Sequence, residues 1–412
     1  MNKTHATKPA MLTVEQALSH LLAQAVPLEG VQRTETARCL GRILAEPQIS
    51  TVAVPPLDNS AMDGYAVACA DLRVEGETRL RVSQRIPAGC LGQPLEPGTA
   101  ARIFTGAPVP AGADAVVMQE HCAQDGEWVT IRKAVKPGEN IRRAGEDIAV
   151  GATVLAAGAK IRPQEMGLAA SVGLASLPIF RRLKVAVFFT GDEIVMPGEP
   201  LRPGQIYNSN RFTLAGLLES LGCEIVDYGI VPDNLEATAG ALNRAADGAD
   251  LILTSGGVSV GEEDHVKAAV EQNGKLDMWW VAMKPGKPLA FGAVGATPFI
   301  GLPGNPVSAF VTFCLFVRPY ILRRQGAVDV APRSYALHAE FDWSKPGNRR
   351  EYVRARLEPG ESGAAGVVLY PNQGSGVLTS AAWADGLVEI PESRTVRRGE
   401  TVKFIPFSSL FC

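Results

Sequence analysis

The chain has 412 residues, with 40 basic and 43 acidic side chains and a formal net charge of -3. This length predicts roughly two to four domains, and the balanced charge argues against recruitment of nucleic acid or an anionic membrane by a global field. The seven cysteines form no C-x-x-C pair and the five histidines are scattered, so we expect neither a disulfide framework nor a structural metal.

The N-terminus and the apolar stretches predict a cytoplasmic protein without a membrane partner. The first residues, MNKTHATKPAMLTVEQ, lack the apolar region of a signal peptide. The longest apolar stretch, near Val307 to Val317, is shorter than the roughly 18 residues of a spanning helix. Widely spaced cysteines are also typical of a reducing compartment.

The first part of the chain predicts a helical unit interrupted by a β-rich module. A capping box at Thr13-Val14-Glu15-Gln16 predicts one helix, and a second is expected at about 34 to 45. Helical pattern resumes at 163 to 173. Between the second and third predicted helices, Pro and Gly separate short segments in which apolar and polar residues alternate. These segments predict small antiparallel or barrel-like β structure: TRLRVSQRI, ARIFTGAPV, DAVVMQE and EWVTIRKAV. We therefore predict a discontinuous helical linker domain, 1–48 and 148–182, with a β-rich domain inserted at 49–147.

The rest of the chain predicts an α/β domain at 183–328 and a β-barrel at 329–412. Helix-like segments alternate with apolar strands in the first of these, which predicts right-handed crossovers and a mostly parallel sheet. Its predicted strands are LKVAVFF, EIVDYGIV, DLILTS and PFIGLP. The barrel is predicted from the short strands SYALHAEF, EYVRARLE, VVLYP, LVEI and TVKFIPF. The fold class is multidomain α/β plus β.

Glycines, hydroxyls and carboxylates follow the predicted α/β strands where each strand ends. The segments are Thr190-Gly191-Asp192-Glu193, Pro232-Asp233-Asn234, Thr254-Ser255-Gly256-Gly257 with Glu262, Glu263 and Asp264 beyond, and Pro303-Gly304-Asn305-Pro306. Ligands of open α/β sheets bind at this edge, where backbone N–H groups receive phosphate oxygens and carboxylates hold Mg²⁺. Lys284 and Lys287 of MKPGKP can supply opposite charge. The pattern predicts a site for a phosphorylated ligand held through Mg²⁺.

More ordinary explanations stay open for each stretch. Gly256 and Gly257 could form a simple strand-to-helix turn, and Asp233 and Asp264 could cap helices. The dense polar segment VPPLDNSAMDGYAV could be a cluster of Asx-turns, and GENIRRAGEDI a solvated charged turn. The chain contains no G-x-x-x-x-G-K-[ST], G-x-S-x-G or H-E-x-x-H motif, so P-loop, serine hydrolase and zincin interpretations lack support.

Taken together, the motifs resemble the molybdopterin molybdenumtransferase family, the MoeA type that is similar to the E domain of gephyrin. The resemblance covers nearly the entire chain and rests on PPLDNSAMDGYAV, RIFTGAPVP, NIRRAGEDI, FTGDEIV, IYNSN, TSGGVSVGEEDHVK, MKPGKPLAFG and GLPGNPVSAF in this order. It implies an elongated homodimer that inserts molybdate into adenylylated molybdopterin with Mg²⁺, releasing AMP and giving molybdenum cofactor. Other proteins of cofactor synthesis are implied as further partners.

The resemblance also implies roles for individual residues. The catalytic set is Asp58, Thr105, Asp147, Glu193, Asp233 and Asp264, with Glu193 and Asp264 holding the metal. Lys284, Lys287 and Ser308 would line the oxyanion side, and Arg350 and Ser375 would complete the molybdate pocket, although NRREYVRARL leaves Arg349 as an alternative to Arg350. The remaining substrate-binding positions are Asn59, Ser60, Asp63, Thr190, Gly191, Ser255, Gly256, Gly257, Pro288, Pro303, Gly304, Asn305 and Pro306. The sequence departs from the family at His265, where an aromatic residue such as tyrosine is expected.

Two other functions stay open. An adenylyltransferase acting one step earlier shares the TSGG and GLPGNP segments, but such enzymes are small single-domain chains. A non-catalytic carrier or scaffold of the cofactor is the other alternative. The presence of Asp58, Glu193, Asp233 and Asp264 favours a catalytic protein.

Overall fold

The computed structural model describes residues 11–257, 265–360, 363 and 365–411. The predicted metal ligand Asp264 and the neighbouring Glu262 and Glu263 lie outside the described residues. The helices are α1 (Val14–Ala23), α2 (Pro163–Ser171), α3 (Ser209–Ser220), α4 (Leu235–Gly248), α5 (His265–Asn273), α6 (Pro306–Thr312), α7 (Arg318–Arg324), α8 (Leu378–Trp383) and α9 (Ser408–Phe411).

Helix α1 begins as the sequence predicts. The side chain of Thr13 accepts a hydrogen bond from the Gln16 N–H at 3.2 Å, and Gln16 Oε1 accepts one from the Thr13 N–H at 2.9 Å. These two bonds satisfy N–H groups that the first turn of a helix leaves without a partner. The apolar face of α1, including Ala17 and Leu21, packs into the core of the α/β region rather than into the unit around α2.

The β-rich insertion forms one six-stranded sheet and several two-stranded pairs. The strands of the first part of the chain are β1 (Val31–Glu35), β2 (Gln48–Ile49), β3 (Asn59–Ser60), β4 (Gly64–Val67), β5 (Thr78–Ile86), β6 (Thr99–Ile103), β7 (Ala115–Met118), β8 (Cys122–Asp125), β9 (Trp128–Ile131), β10 (Ile141–Arg142), β11 (Thr153–Leu155) and β12 (Ser176–Phe180), of which β1, β11 and β12 flank the insertion. The large sheet has the order β7-β4-β6-β5-β9-β8, and only the β5–β6 pair in it is parallel. The predicted strands in this region are therefore confirmed.

The helix expected at about 34 to 45 is wrong. Strand β1 ends at Glu35 and pairs antiparallel with β12, and only Thr36–Arg38 form a short 3₁₀ turn. The Thr36 hydroxyl donates to the carbonyl of Leu174 at 2.6 Å, and the following residues Cys39 and Leu44 are buried beside α2. Long-range pairing and burial override the local helical pattern here. The helix expected at 163–173 is confirmed as α2.

The α/β region contains a six-stranded sheet in the order β16-β13-β17-β21-β20-β18. Its strands are β13 (Lys184–Thr190), β14 (Ile194–Val195), β15 (Ile206–Tyr207), β16 (Glu224–Val231), β17 (Leu251–Ser255), β18 (Gly274–Trp280), β19 (Met283–Lys284), β20 (Pro288–Val294) and β21 (Thr297–Leu302), of which β14, β15 and β19 lie outside this sheet. Strands β16, β13, β17 and β21 are mutually parallel, which confirms the prediction, whereas β20 and β18 are antiparallel. The chain order reverses between β13 and β17, which creates a topological switch point at their carboxyl ends.

Helices α6 and α7 are joined by a π-helical turn, Phe313–Val317, into one 19-residue helix, Pro306–Arg324. By length and composition this helix could cross a membrane, so the apolar segment is longer than the sequence suggested. However, 83% of its apolar window is buried inside the protein, which is typical of a core helix.

The last region forms a closed β-barrel, as predicted. Its strands are β22 (Tyr335–Ala339), β23 (Arg350–Pro359), β24 (Ala365–Leu369), β25 (Gly386–Ile390) and β26 (Thr401–Pro406). The ring runs β23-β24-β22-β26-β25 and returns to β23. Strand β19 of the α/β region pairs with β23 from outside the ring, with Lys284 opposite Glu351. This pairing attaches the barrel to the α/β region.

Candidate functional site

An open cleft of about 1030 Å³ lies at the switch point of the α/β sheet, between that sheet and the barrel. Its floor is formed by the loops that follow β13, β17 and β21, which is where the sequence places a ligand site. The predicted residues that line it are Thr190, Gly191, Glu193, Asp233, Ser255, Gly256, Gly257, Lys284, Lys287, Pro288, Pro303, Gly304, Asn305, Pro306, Ser308 and Ser375. Segments far apart in the sequence thus meet in one cavity.

Two glycines at the end of β17 allow the backbone to form the floor of the cleft. Gly256 and Gly257 have positive φ angles of 100° and 65°. A Cβ on Gly257 would lie 2.4 Å from the Cγ2 of Val266, and one on Gly256 would lie 2.9 Å from the carbonyl oxygen of Thr190. Side chains are excluded here by both backbone conformation and space, so the peptide groups themselves border the cleft.

Asn210 ties two loops of the cleft together. Its Nδ2 donates to the Ser255 hydroxyl and to the carbonyl of Gly304, both at 2.8 Å, and the Ser255 hydroxyl donates to the carbonyl of Pro303 at 2.9 Å. These bonds fix the end of β17 against the loop after β21. No role was predicted for Asn210 from the sequence. The motif IYNSN contained the signal, because Asn208 caps α3 and thereby orients the residues that follow it.

Charges of both signs surround the cleft. The Lys284 ammonium lies 3.0 Å from the carboxylate of Glu351, whose side chain is only 7% exposed. The ammonium of Lys287 lies 4.4 Å from the centre of the Trp280 ring, a cation–π contact. Glu193 and Asp233 supply carboxylates to the lining of the cleft, and that of Glu193 packs against Gly191. This combination suits an anionic ligand that is bound with a cation.

Of the two alternatives in NRREYVRARL, Arg349 borders the cleft of the described chain and Arg350 does not. Arg349 borders the cleft and donates to the carbonyl of Met283 at 3.2 Å. The guanidinium of Arg350 instead pairs with Glu15, with Glu389 at 3.4 Å and with Glu392 at 3.5 Å. Arg349 lies in the bend just before strand β23, which begins at Arg350, and the two neighbouring side chains have different partners.

Residues 373–376 of the barrel form one wall of the cleft. Gln373 and Gly374 were not predicted, whereas Ser375 was. The carbonyl of Ser375 accepts a hydrogen bond from the N–H of Val307 at 3.0 Å, which joins this wall to the start of α6. Further lining residues for which the sequence predicted no role are Phe189, Ile194, Ile206, Tyr207, Asn208, Ser209, Pro285, Gly286 and Gly376.

The predicted N-terminal residues form a second cluster in the β-rich region. Asp58 pairs with the Arg143 guanidinium at 2.5 Å and accepts from the Ala144 N–H at 2.8 Å. Asp63 accepts from the Thr105 N–H and hydroxyl, both at 2.8 Å. The Ala144 N–H and the Arg143 guanidinium lower the pKa of Asp58, and the N–H and hydroxyl of Thr105 lower the pKa of Asp63. Both carboxyls are therefore ionised at neutral pH.

This cluster combines three motifs that are well separated in the sequence. Strand β3, which contains Asn59 and Ser60, pairs with β10 of the GENIRRAGEDI segment, and the backbone N–H of Asp147 donates to the carbonyl of Val54 at 3.0 Å. In the described part of a single chain, none of the predicted N-terminal residues lines the cleft. These residues are Asp58, Asn59, Ser60, Asp63, Thr105 and Asp147. The predicted site residues thus form two groups.

The fold and the cleft define a multidomain α/β protein with an open cleft at the switch point of a mostly parallel sheet, next to a closed barrel. Comparison with known families identifies it further. Residues 12–173 match the MoeA N-terminal region (domain I and II), residues 186–323 match the family described as "Probable molybdopterin binding domain", and residues 336–407 match the MoeA C-terminal region (domain IV). The chain belongs to the MoeA family.

Individual relatives agree with this result. The molybdopterin molybdenumtransferase of Haemophilus influenzae is 42% identical over 405 residues, covering 97% of this chain and 100% of the relative. Molybdopterin molybdenumtransferase 2 of Mycobacterium tuberculosis is 42% identical over 366 residues, 85% of this chain and 89% of the relative. The crystal structure of the molybdopterin biosynthesis moeA protein of Pyrococcus horikoshii OT3 has a TM-score of 0.82 at 29% identity, covering 96% of this chain and 100% of that one. The family resemblance inferred from the motifs is confirmed.

Proposed function

We propose that this protein is a molybdopterin molybdenumtransferase, which inserts molybdate into adenylylated molybdopterin and releases AMP. The observation that carries the proposal is the single cleft in which the glycine loops after β13, β17 and β21 converge with Lys284, Lys287 and Arg349. End-to-end similarity to enzymes of that name supports the same reaction, and both the β-rich region and the barrel match the MoeA family.

Different residues of the cleft bind the ligand and stabilise the charge that develops during the reaction. The backbone at Gly257 binds phosphate oxygens, because no side chain stands between it and the ligand, whereas the Gly256 N–H already donates to the carbonyl of Leu302 at 3.2 Å. Lys284 and Lys287 stabilise the negative charge that develops when the phosphoanhydride bond breaks and AMP leaves. Ser308, Ser375 and Arg349 hold molybdate as hydrogen-bond donors beside the dithiolene sulfurs of the pterin.

The proposal includes a magnesium ion held by Glu193 and Asp264. The donor chemistry of the described part of the cleft fits such an ion, because Glu193 and Asp233 both offer carboxylate oxygens. Within the described residues there is no cluster of three or more His, Cys, Asp or Glu side chains that could hold a metal ion. Mg²⁺ often binds through one or two carboxylates together with substrate phosphates and water. When bound, it would offset the charge of the phosphates.

We further propose a homodimer in which the N-terminal cluster of one subunit serves the cleft of the other. Asp58, Thr105 and Asp147 belong to the family's implied catalytic set, yet in the described part of one chain they lie outside the cleft. In a homodimer, the second subunit supplies these three residues to the cleft. A cytoplasmic location and contacts with other proteins of cofactor synthesis complete the proposal, since the substrate is a product of the preceding step.

The test is incubation of purified protein with adenylylated molybdopterin, Mg²⁺ and molybdate. Release of AMP together with formation of a cofactor that activates an apo-molybdoenzyme is the expected result. A requirement for ATP would indicate an adenylyltransferase, and binding without AMP release would indicate a carrier. Either of these two results would overturn the proposed function.

A further inference from the structure

Arg354 is a fully buried arginine on β23, directly behind the barrel wall of the cleft. It is 0% exposed, and it is among the largest completely buried side chains of the protein. Burial lowers the pKa of its guanidinium to about 10, so the group keeps its charge at neutral pH. Within the described ranges no carboxylate forms an ion pair with it. A buried charge without an opposite charge is costly unless polar groups surround it.

The guanidinium is held by three oxygen acceptors. Its Nε donates to the hydroxyl of Ser380 at 3.0 Å, Nη1 donates to the carbonyl of Tyr352 at 3.3 Å, and Nη2 donates to the carbonyl of Gly374 at 3.2 Å. The last of these acceptors belongs to a residue that lines the cleft. The planar fork of an arginine can hold several acceptors in fixed directions at once, which a lysine cannot do.

The backbone of Arg354 holds the neighbouring residue of the same wall. Its N–H donates to Gln373 Oε1 at 2.9 Å, and its carbonyl accepts from Gln373 Nε2 at 3.0 Å. One residue therefore fixes both Gln373 and Gly374 from behind. Ser375 follows at once, and its carbonyl is fixed by the Val307 N–H from the other side.

We propose that Arg354 is a positioning residue for oxyanion recognition: its fork fixes wall residues 373–376, and its unpaired positive charge attracts the molybdate dianion through that wall. The inference rests on the proposed function, because it names the component of the site that recognises molybdate rather than the pterin. The charge acts at short range inside the protein, where water screens it weakly.

The experiment compares Arg354→Met and Arg354→Lys with the control Arg356→Met. Arg356 lies two residues further along the same strand, pairs with Glu358 and stacks over the Trp383 ring at 4.6 Å, away from the cleft. Loss of a charged hydrogen-bonding group should raise the KM for molybdate at least about tenfold in Arg354→Met, with a smaller rise in Arg354→Lys. The KM for adenylylated molybdopterin should stay within about twofold of the parent value, and the control should match the parent in both constants.

Thermal melts of all variants establish the temperature at which each is folded, and kinetics are measured below it. An unchanged KM for molybdate in the folded Arg354 variants would overturn the inference. A parallel rise in both KM values would also overturn it, since that pattern indicates general damage to the cleft. If Arg354→Met does not fold, Arg354→Lys decides alone by the same criteria.

Direct calorimetric titration of sodium molybdate into each protein separates this inference from the proposed function. If the parent binds molybdate more tightly than Arg354→Met or Arg354→Lys but releases no AMP, the proposed function fails while the role of Arg354 stands. If the parent releases AMP and all variants bind molybdate equally, only the role of Arg354 fails. If the parent binds no molybdate, the inference fails as well.

Discussion

The buried carboxylate of Glu351 lies 3.0 Å from the half-exposed ammonium of Lys284, across the junction between the barrel and the α/β region. The two residues also stand opposite each other in the β19–β23 pair. Lys284 lines the cleft, so the barrel fixes the position of a cationic group that the α/β region supplies. The barrel is thus part of the site and not only an appended domain.

Replacing Glu351 by glutamine should therefore lower activity more than stability. The variant keeps the shape of the side chain but loses the charge that orients Lys284, and we expect kcat/KM for AMP release to fall roughly ten- to a hundredfold, as for other misplaced catalytic groups. Glu340→Gln is the matched control, because Glu340 pairs with Arg398 on the barrel and does not line the cleft. Equal activity of Glu351→Gln and the control would contradict this role.

Replacing Glu193 or Asp264 by alanine should abolish turnover while leaving the fold intact. If these carboxylates hold the proposed magnesium ion, losing one should raise the barrier by several kcal/mol, about 3 or more. Asp192→Ala is the control for Glu193→Ala, since Asp192 is the adjacent exposed residue and does not line the cleft. AMP release is measured beside circular dichroism melts. Full activity in both variants would remove the metal assignment.

A mixture of two inactive proteins, Asp58→Ala and Glu193→Ala, should regain activity after subunit exchange. In the mixed dimer one cleft carries both lesions and the other carries neither, if the N-terminal cluster serves the partner's cleft. Mass spectrometry shows whether mixed dimers have formed, and AMP release measures recovery. If mixed dimers form and remain inactive, both residues serve the cleft of their own chain and the shared-site proposal is wrong.

Changing Asn210 to aspartate should weaken ligand binding more than changing it to alanine. Aspartate replaces the amide donor by an acceptor that repels the carbonyl of Gly304, whereas alanine only removes the bond. We expect the KM for adenylylated molybdopterin to rise roughly tenfold in Asn210→Asp. Asn273→Ala removes a comparable bond to the carbonyl of Ala269 at the end of α5 and serves as the control. A larger rise of this KM in Asn210→Ala than in Asn210→Asp would refute the proposed role of Asn210 in joining the two loops.

Asp250 should stabilise the protein at neutral pH and lose that contribution in acid. Burial alone would raise the pKa of its carboxyl, but hydrogen bonds from Arg181 at 2.6 and 2.7 Å and from the Lys184 N–H lower it overall. A carboxyl whose pKa is lowered by folding stabilises the protein above its unfolded value of roughly 4, and this contribution disappears as the pH falls through the lower, folded pKa.

We therefore expect Asp250→Asn to reduce the free energy of unfolding by roughly 1.5–3 kcal/mol at pH 7. The difference from the parent should shrink as the pH falls below about 4. Denaturant unfolding at several pH values measures it, with the exposed Asp247→Asn on α4 as control. A difference that is independent of pH would mean that the ionised carboxylate is not the stabilising group.

The strands and turns around the cleft could be predicted from local sequence patterns. Apolar runs that end in glycines, hydroxyls and acids predict where β13, β17 and β21 stop, because strand period and turn chemistry are local properties. The barrel strands and α2 follow from the same local patterns. The motifs also identified the family, because their identity and their order along the chain can be read without knowing where they lie in the fold.

Which of these residues come into contact could not be predicted from local sequence patterns. The helix expected at about 34 to 45 gives way to β1 and a short turn because distant residues, Leu174 and β12, pair with this segment. Strands β18 and β20 were not predicted, since their hydrogen-bond partners lie on β21 and on each other. Whether Arg349 or Arg350 borders the cleft depends on how the barrel docks beside it, as does the contact of Glu351 with Lys284, and the contacts of Arg354 depend on packing inside the barrel. Such pairings are decided by three-dimensional packing, which residue type and spacing along the chain do not specify.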